Sequence, residues 1–180
     1  GGTIGEIAAD KAGIIKPGAT VVISPQTPEA LSPILVACEE KEAAPILVGR
    51  DVTWEGGQFG TDGQQFKVRS STKDYDLRIP LLGSHQLENA ATAVAALEAL
   101  ASQGIEVPGP AIAAGFDSVN WPCRMEVLSR SPLLVADGAH NVYSMETLLK
   151  SLPRYLEYER LILVVGFSRD KNVEGMAQAL

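Results

Sequence analysis

The order of apolar and polar positions along the chain predicts helices that alternate with short strands in the first fifty residues. Thr3 to Ala12 predicts a short capped helix in which Glu6 is the capping-box partner of Thr3. The β-branched run Val21 to Ser24 and the apolar run Ile46 to Val48 predict buried strands, with a helix between them within residues 28–43. This alternation is typical of βαβ units that form a parallel sheet.

The pattern then changes to residue-by-residue alternation between Val52 and Pro80, which predicts antiparallel hairpins interrupted at Gly56-Gly57, Gly60 and Asp62-Gly63. A strong helix is predicted over 86–103, ended by Gly104. Its predicted apolar side consists of Leu87, Ala91, Val94, Leu97 and Ala101. A further helix is predicted from Pro110 to Val119.

From Trp121 onwards a β-α order starts again. It predicts strands at Arg124–Leu128, Leu133–Ala136 and Leu161–Val165, and helices at Ser144–Leu152 and Val173–Leu180. We place a domain boundary near residue 120, which predicts domains at 1–119 and 120–180. The second is shorter than an open α/β domain usually is, so we expect it to be cut short. The predicted fold class is α/β.

Composition excludes several classes of protein. The chain has 180 residues, 46% of them hydrophobic, and a formal net charge of −7 with no stripe of Lys and Arg, which argues against nucleic-acid binding. Its apolar runs are too short to span a bilayer, so we expect a cytoplasmic protein without a membrane partner. Cys38 and Cys123 lie too far apart in sequence to indicate a zinc site or a disulfide framework.

Lys11 is the first candidate for chemistry. In a helix that starts at Thr3 it falls on the same stripe as Ile4, Ile7 and Ala8. A lysine on an apolar face either extends its amine to water or finds a buried charged partner. The alternative is a lysine in the last turn that binds the free carbonyls of the helix end.

The segment from Gly83 to Ala90 is the second candidate. Ser84 can cap a helix that carries His85 and Asn89 on one face, four residues apart. An asparagine offers both a donor and an acceptor, which suits the edge of a purine base. The alternative is a polar, solvated first turn.

The segment from Trp121 to Glu126 is the third candidate. If it is extended, Arg124 and Glu126 share a face, and Glu126 could orient the guanidinium towards an anion. The alternative is an ion pair on the surface of a strand.

The segment from Asp137 to Asn141 follows an apolar strand and leads into a helix, the position where open α/β folds place ligands. An aspartate there can bind ribose hydroxyls, and the helix N-terminus favours phosphate. His140 in this segment and His85 are the two histidines of the chain. The polar loop Ser168–Lys171 follows another predicted strand, and its alternative interpretation is a charged turn.

Four segments together resemble the folylpolyglutamate synthase/dihydrofolate synthase family of the Mur-ligase superfamily. They are Thr3–Gly18, Leu82–Ala91, Trp121–Glu126 and Asp137–Asn141. Each motif alone is modestly specific, whereas four in this order are very specific. The resemblance implies the remainder of a central ATP-binding domain, mostly a parallel sheet with an antiparallel hairpin region, and then the start of a Rossmann-like ligase domain.

The resemblance also implies an activity: ATP-dependent ligation of L-glutamate to folate or dihydropteroate. ATP phosphorylates the acceptor carboxyl, the glutamate amine attacks the acyl phosphate, and Mg²⁺ neutralises phosphate charge. Lys11 matches a carbamylated lysine that organises the metal site, and it and His140 are the implied catalytic residues. The implied nucleotide-binding residues are Asn89 for adenine, Arg124 for phosphate, Asp137 for ribose, and His85.

The chain departs from the family pattern at several positions. It contains no Gly-x-x-x-x-Gly-Lys-Ser/Thr loop, and we expect the family's magnesium ligands to lie upstream, with none in this chain. Cys123 replaces a usual glycine, Val142 stands where proline is common, and Asn172 stands where aspartate is frequent. We therefore expect this chain alone to be inactive. Missing strands of the second domain would leave sheet edges exposed, so we expect the chain to self-associate, and we expect its parent protein to be a monomer.

Two other functions remain as alternatives from the sequence. One is a different Mur-type amide ligase that acts on a cell-wall precursor or polymerises amino acids. The other is a non-catalytic nucleotide-binding module, which the missing phosphate loop suggests.

Overall fold

The computed structural model describes residues 2–168 and 171–180. Its helices are α1 Ile4–Ala12, α2 Pro28–Glu40, α3 Ser84–Ala101, α4 Gly109–Asp117, α5 Val142–Tyr155 and α6 Val173–Ala179. Its strands are β1 Thr20–Ile23, β2 Ala44–Leu47, β3 Thr53–Gly60, β4 Gly63–Arg69, β5 Asp74–Ile79, β6 Glu126–Arg130 and β7 Leu133–Ala136. The predicted α/β class is confirmed.

The chain divides into two compact units built from interleaved segments. The first consists of the residues up to Glu55 together with Lys67–Asp76 and Leu87–Ile112. The second consists of Gly56–Phe66, Leu77–Gln86 and Ala113–Leu180. The predicted domain boundary near residue 120 stays a prediction.

The first unit contains the predicted βαβ arrangement. β1 and β2 pair in parallel, with Thr20 opposite Ala44, and α2 connects them. Pro28 occupies the first turn of α2, where its missing N–H leaves no helical bond unmade, and the helix continues through Pro33. The buried core of this arrangement consists of Ala12, Ile15, Ile23, Cys38 and Ala43.

α1 begins at the predicted capping box. The Thr3 hydroxyl accepts a hydrogen bond from the Glu6 amide at 3.2 Å, and the Glu6 carboxylate accepts one from the Thr3 amide at 3.3 Å. Gly13 ends the helix with φ −57°, so it does so without left-handed backbone. Because Thr3 and Glu6 of the capping box lie within four residues of each other, the sequence alone predicts where this helix begins.

β3, β4 and β5 form a three-stranded sheet in that order. Only residues 61 and 62 connect β3 to β4, which makes this pair antiparallel because parallel neighbours need a long crossover. The predicted breaks at Gly56 and Gly57 are wrong, since both lie inside β3, whereas β3 does end at Gly60. At Gly63 a Cβ would lie 2.5 Å from the carbonyl oxygen of Ile79, so this strand start requires glycine.

α3 confirms the strong helix predicted over 86–103, although it begins earlier, at Ser84. Its buried residues are Gln86, Leu87, Ala90, Ala91, Val94, Ala95 and Ala99. Ala101, which the pattern placed on the apolar side, is exposed. Gly104 adopts φ +87° just beyond the helix and ends it as predicted.

In the second unit, β6 and β7 form an antiparallel hairpin with a bulge between Val127 and Ser129. The buried cluster of this part consists of Leu82, Met125, Leu152, Tyr155 and Leu156. The strand predicted at Leu161–Val165 is wrong, since none of the described strands pairs with this segment and Val164 is 96% exposed. A strand needs a neighbour for its backbone hydrogen bonds, and an apolar run alone does not supply one.

Among the described helices, none combines the length and the apolar character needed to cross a membrane.

Leu152 tests the buried cluster. It is 5% exposed, so Leu152→Ala leaves a cavity, and we expect it to lower the free energy of unfolding by about 2–5 kcal/mol in urea titrations. Leu134→Ala is the matched control, since that leucine is 55% exposed, and it should change stability by about 0.5 kcal/mol or less. Equal losses in both variants would contradict this packing.

Candidate functional site

Asp137 joins two turns of the second unit. It follows directly after β7, as predicted, and its Oδ2 accepts a hydrogen bond from the Met125 amide at 2.9 Å. Its Oδ1 accepts one from the Ala139 amide at 2.8 Å. The carboxylate therefore holds the turn before β6 against the loop after β7, and we call these two bonds the Asp137 clamp.

The turn before β6 is not extended, which corrects the predicted strand start at Arg124. Cys123 adopts φ +58° and Met125 adopts φ +47°, so the residues on both sides of Arg124 have left-handed backbone. Glu126 accepts a hydrogen bond from the Cys123 amide at 2.9 Å. The prediction that Glu126 orients the guanidinium is therefore wrong, since its carboxylate stabilises the turn instead.

Arg124 is half-buried beside the Asp137 loop. Its Nη1 donates to the carbonyl of Cys123 at 3.1 Å, and its guanidinium lies 6.0 Å from the centroid of the Trp121 ring. Within 2–168 and 171–180, no carboxylate forms an ion pair with it. A Cβ on Gly138 would lie 2.8 Å from Nη1, so glycine lets the loop approach this cation closely.

His85 lies close enough to Arg124 and Asp137 for their charges to act on it. Burial lowers the pKa of His85, the positive charge of Arg124 lowers it further, and the carboxylate of Asp137 raises it. The ring is therefore neutral at pH 7. Its Nε2 lies 3.0 Å from the side-chain nitrogen Nε2 of Gln86, which donates, so Nε2 of His85 accepts and Nδ1 carries the proton. That buried Nδ1 has no hydrogen-bond partner among the described residues.

His140 is exposed at the rim of the same loop. Its Nδ1 lies 2.9 Å from the carbonyl oxygen of Gly138, and because a carbonyl only accepts, Nδ1 carries the proton. In the neutral ring Nε2 keeps its lone pair. His140 thus presents a hydrogen-bond acceptor or a proton acceptor to solvent.

The start of α5 is capped by its own residues. The Asn141 side chain accepts from the Ser144 amide at 2.8 Å, while the Ser144 hydroxyl accepts from the amides of His140 and Asn141 at 3.0 Å. These amides are therefore engaged within the chain. This helix N-terminus therefore has fewer free N–H donors for a phosphate group than the sequence alone suggests.

Two of the predicted site residues belong to the first unit. Asn89 is exposed on α3, one turn after His85, and Lys11 is exposed on α1. The apolar stripe on which Lys11 is predicted to lie is not buried at Ile4 and Ile7, since these isoleucines are 53% and 49% exposed. α1 instead buries Ala8 and Ala12, whose small side chains let helices approach closely.

The second unit thus brings together His85, Arg124, Asp137 and His140. The nucleotide-binding roles implied for Asn89, Arg124 and Asp137 stay predictions, and so does the role of Lys11. In the predicted polar loop at 168–171, Arg169 and Asp170 lie outside the described residues. In the part of the chain that the structure describes, no group of three or more His, Cys, Asp or Glu side chains could hold a metal ion.

A cavity of about 580 Å³ lies beside Asp137 and Ala139. Most of its lining is hydrocarbon from β7, the apolar side of α5 and residues 161–167. Such a lining suits an apolar group, while the charged groups Arg124 and Asp137 suit phosphate and hydroxyl groups.

Two features of the site have no counterpart in the sequence analysis. One is the Asp137 clamp, for which the short side chain before Gly138 is the only local signal. The other is Gln64, a glutamine in an alternating strand that is 2% exposed. A polar residue in a strand is ordinarily assigned to the solvent side, so no pattern singles it out.

Comparison with known proteins adds independent findings. Residues 123–180 match the family described as Mur ligase, glutamate ligase domain. A probable bifunctional folylpolyglutamate synthase/dihydropteroate synthase of Halobacterium salinarum is 37% identical and aligns with 100% of this chain and 22% of its own length. The dihydrofolate synthase/folylpolyglutamate synthase of Bacillus subtilis is 34% identical, and the alignment covers 100% of this chain and 42% of that protein.

The solved structures agree with these relatives. Folylpolyglutamate synthase of Mycobacterium tuberculosis, complexed with ADP, superposes with a TM-score of 0.86 at 29% identity, over 99% of this chain and 41% of that one. A folylpolyglutamate synthase complex with AMPPCP and folate has a TM-score of 0.83 at 31% identity, over 90% and 40%. This chain therefore spans less than half the length of these relatives.

Cys123 tests the left-handed turn before β6. A non-glycine residue at positive φ is strained by about 1–2 kcal/mol, whereas glycine is not, although glycine also makes the unfolded chain more flexible. We expect Cys123→Gly to raise the free energy of unfolding by about 0.5–1 kcal/mol in urea titrations. Cys123→Ala, which keeps the Cβ, is the control, and a gain from alanine equal to that from glycine would contradict the strain.

Proposed function

This chain belongs to the folylpolyglutamate synthase/dihydrofolate synthase family, and we propose that the protein containing it uses ATP to join L-glutamate to folate or dihydropteroate. The γ-phosphoryl group of ATP passes to the acceptor carboxyl, the amine of glutamate attacks the carbonyl carbon, and phosphate leaves. Because the chain spans less than half of its relatives, we propose this activity for the whole protein and none for the chain alone.

The guanidinium of Arg124, which forms no ion pair within the described residues, carries this proposal. A half-buried cation without a carboxylate partner in the described chain has an unmet demand for an anionic oxygen, and the guanidinium binds phosphate through paired N–H groups. A side chain at position 138 would collide with Nη1 of Arg124, and Gly138 avoids this collision. We assign Arg124 to a phosphate group of ATP.

Asp137 has acceptor capacity beyond the clamp. An ionised carboxylate offers about four lone-pair directions, and the backbone amides of Met125 and Ala139 use two of them. The remaining ones suit ribose hydroxyls. Folylpolyglutamate synthase of Mycobacterium tuberculosis has been solved in complex with ADP and AMPPCP, which supports a nucleotide at this site.

His140 is the base that we assign to the reaction. Its Nε2 keeps a lone pair because the carbonyl of Gly138 holds the proton on Nδ1. It can accept a proton released when the attacking amine forms the amide bond. In the first unit, Asn89 is proposed to contact adenine and Lys11 to act as the carbamylated, metal-organising lysine.

Mg²⁺ would neutralise phosphate charge in such a reaction. The described part of this chain has no cluster of metal ligands, so we assign none of its residues to the ion. The cytoplasmic location, the monomeric parent, the self-association of this chain and the lack of nucleic-acid binding stay predictions from the sequence.

Phosphate release by the full-length protein tests the activity. We expect ATP to yield phosphate only when L-glutamate and either folate or dihydropteroate are both present, because the acyl phosphate needs the acceptor and its breakdown needs the amine. Coupled phosphate detection with each substrate omitted in turn measures this. Phosphate release that is independent of glutamate would contradict the proposal.

Arg124→Gln in the full-length protein tests the phosphate assignment. Loss of a charge-assisted bond worth about 1.5–3 kcal/mol should lower kcat/KM for ATP by about 10- to 100-fold. Arg69→Gln is the control, because Arg69 is an exposed arginine whose Nη2 already lies 3.6 Å from Oε2 of Glu55. If both variants retain the ATP dependence of the unmodified protein, Arg124 does not bind phosphate.

A further inference from the structure

Gln64 is a buried amide whose hydrogen bonds are made entirely within the second unit. Its Nε2 donates to the carbonyls of Leu81 at 2.8 Å and Gly83 at 2.9 Å, and its Oε1 accepts from the Tyr155 hydroxyl at 2.9 Å. Gln64 is 2% exposed and Tyr155 is 6% exposed. Any movement that breaks one of these bonds leaves a buried polar group unsatisfied, so the network resists displacement.

The carbonyl of Gly83 is held by two donors. Besides Gln64, the Gln86 amide donates to it at 3.0 Å, at the start of α3. The ring of His85 lies directly over Gly83, where a Cβ would be 2.8 Å from Nδ1. The His85 ring therefore packs against the Gly83 backbone, and a displacement of this peptide would move the ring.

α5 links this network to the other side of the site. Its first residues follow the Asp137 loop, and its last residue is Tyr155. An α-helix rises about 1.5 Å per residue and is stiff over this length. α5 thus runs from the loop that contains Asp137 to Tyr155, whose hydroxyl donates to Gln64.

We infer that Gln64 and Tyr155 are positioning residues: through the Leu81 and Gly83 carbonyls they hold His85 in place beside Arg124 and Asp137. The consequence of this positioning for nucleotide binding rests on the proposed function.

Tyr155→Phe isolates the hydroxyl from the packing of the ring. The ring of Tyr155 contacts Phe59 with centroids 4.9 Å apart, and the Arg154 guanidinium lies 5.6 Å from its centroid. Phenylalanine keeps these contacts and removes only the donor to Gln64. Tyr143→Phe is the matched control, because Tyr143 lies on the same helix and is 77% exposed.

NMR of the histidine rings in the 180-residue chain measures the effect without any ligand. The chain has two histidines, so His140→Gln assigns both sets of ring signals. In the unmodified chain, burial and Arg124 keep the pKa of His85 low, against the opposing effect of Asp137. In Tyr155→Phe, Gln64 holds residues 81–83 less firmly, and the His85 ring gains contact with water. The titration midpoint of His85 should therefore rise towards the ordinary value of about 6.5.

The comparison of variants decides the inference. A rise in the midpoint of His85 in Tyr155→Phe but not in Tyr143→Phe supports it. An unchanged midpoint in Tyr155→Phe overturns it, and so does an equal rise in both variants. If the spectrum of Tyr155→Phe shows an unfolded chain, Gln64→Met decides instead, with the same rise expected and an unchanged midpoint overturning the inference.

The ring titration uses no ATP, folate or glutamate, so its outcome is independent of the ligase activity. In the full-length protein, positioning predicts that Tyr155→Phe raises KM for ATP several-fold more than Tyr143→Phe does. A protein without ligase activity would fail this second measurement and still pass the first.

Discussion

Both oxygens of the Asp137 carboxylate accept backbone hydrogen bonds from turns that are twelve and two residues away. Bonds to a charged acceptor contribute about 1.5–3 kcal/mol each, enough to offset the strain of a left-handed residue. Met125 is held in such a conformation, and with it the preceding turn that presents Arg124. The cation, the glycine beside it and the neutral His85 can lie near one another because this clamp holds the two turns together.

The elements that the sequence predicts correctly depend on neighbours within a few residues. The capping box of α1 joins Thr3 to Glu6, and the glycine at 104 supplies the positive φ that ends α3. The β-branched run that forms β1 packs in a βαβ unit whose pattern is local. In these segments the side chains that determine the backbone conformation are close in sequence, so the pattern suffices.

The incorrect predictions depend on distant partners. An apolar run such as Leu161–Val165 forms a strand only where another strand offers its backbone. The extended turn expected at Arg124 fails because Asp137 holds the Met125 amide from far along the chain. Gln64 and Tyr155 are separated by 91 residues, so no spacing connects them. The family resemblance supplied the grouping of Arg124 and Asp137, which periodicity alone does not indicate.

The strained turn also gives the molecule a chemically addressable position. Cys123 is exposed, whereas Cys38 is 2% exposed and its burial raises the pKa of its thiol, which leaves less of the reactive thiolate. A maleimide dye added at neutral pH therefore attaches to Cys123 and spares Cys38. The fluorophore then lies next to the Arg124 guanidinium and Gly138. Its emission should change when a solute binds beside these residues, and no engineered cysteine is required.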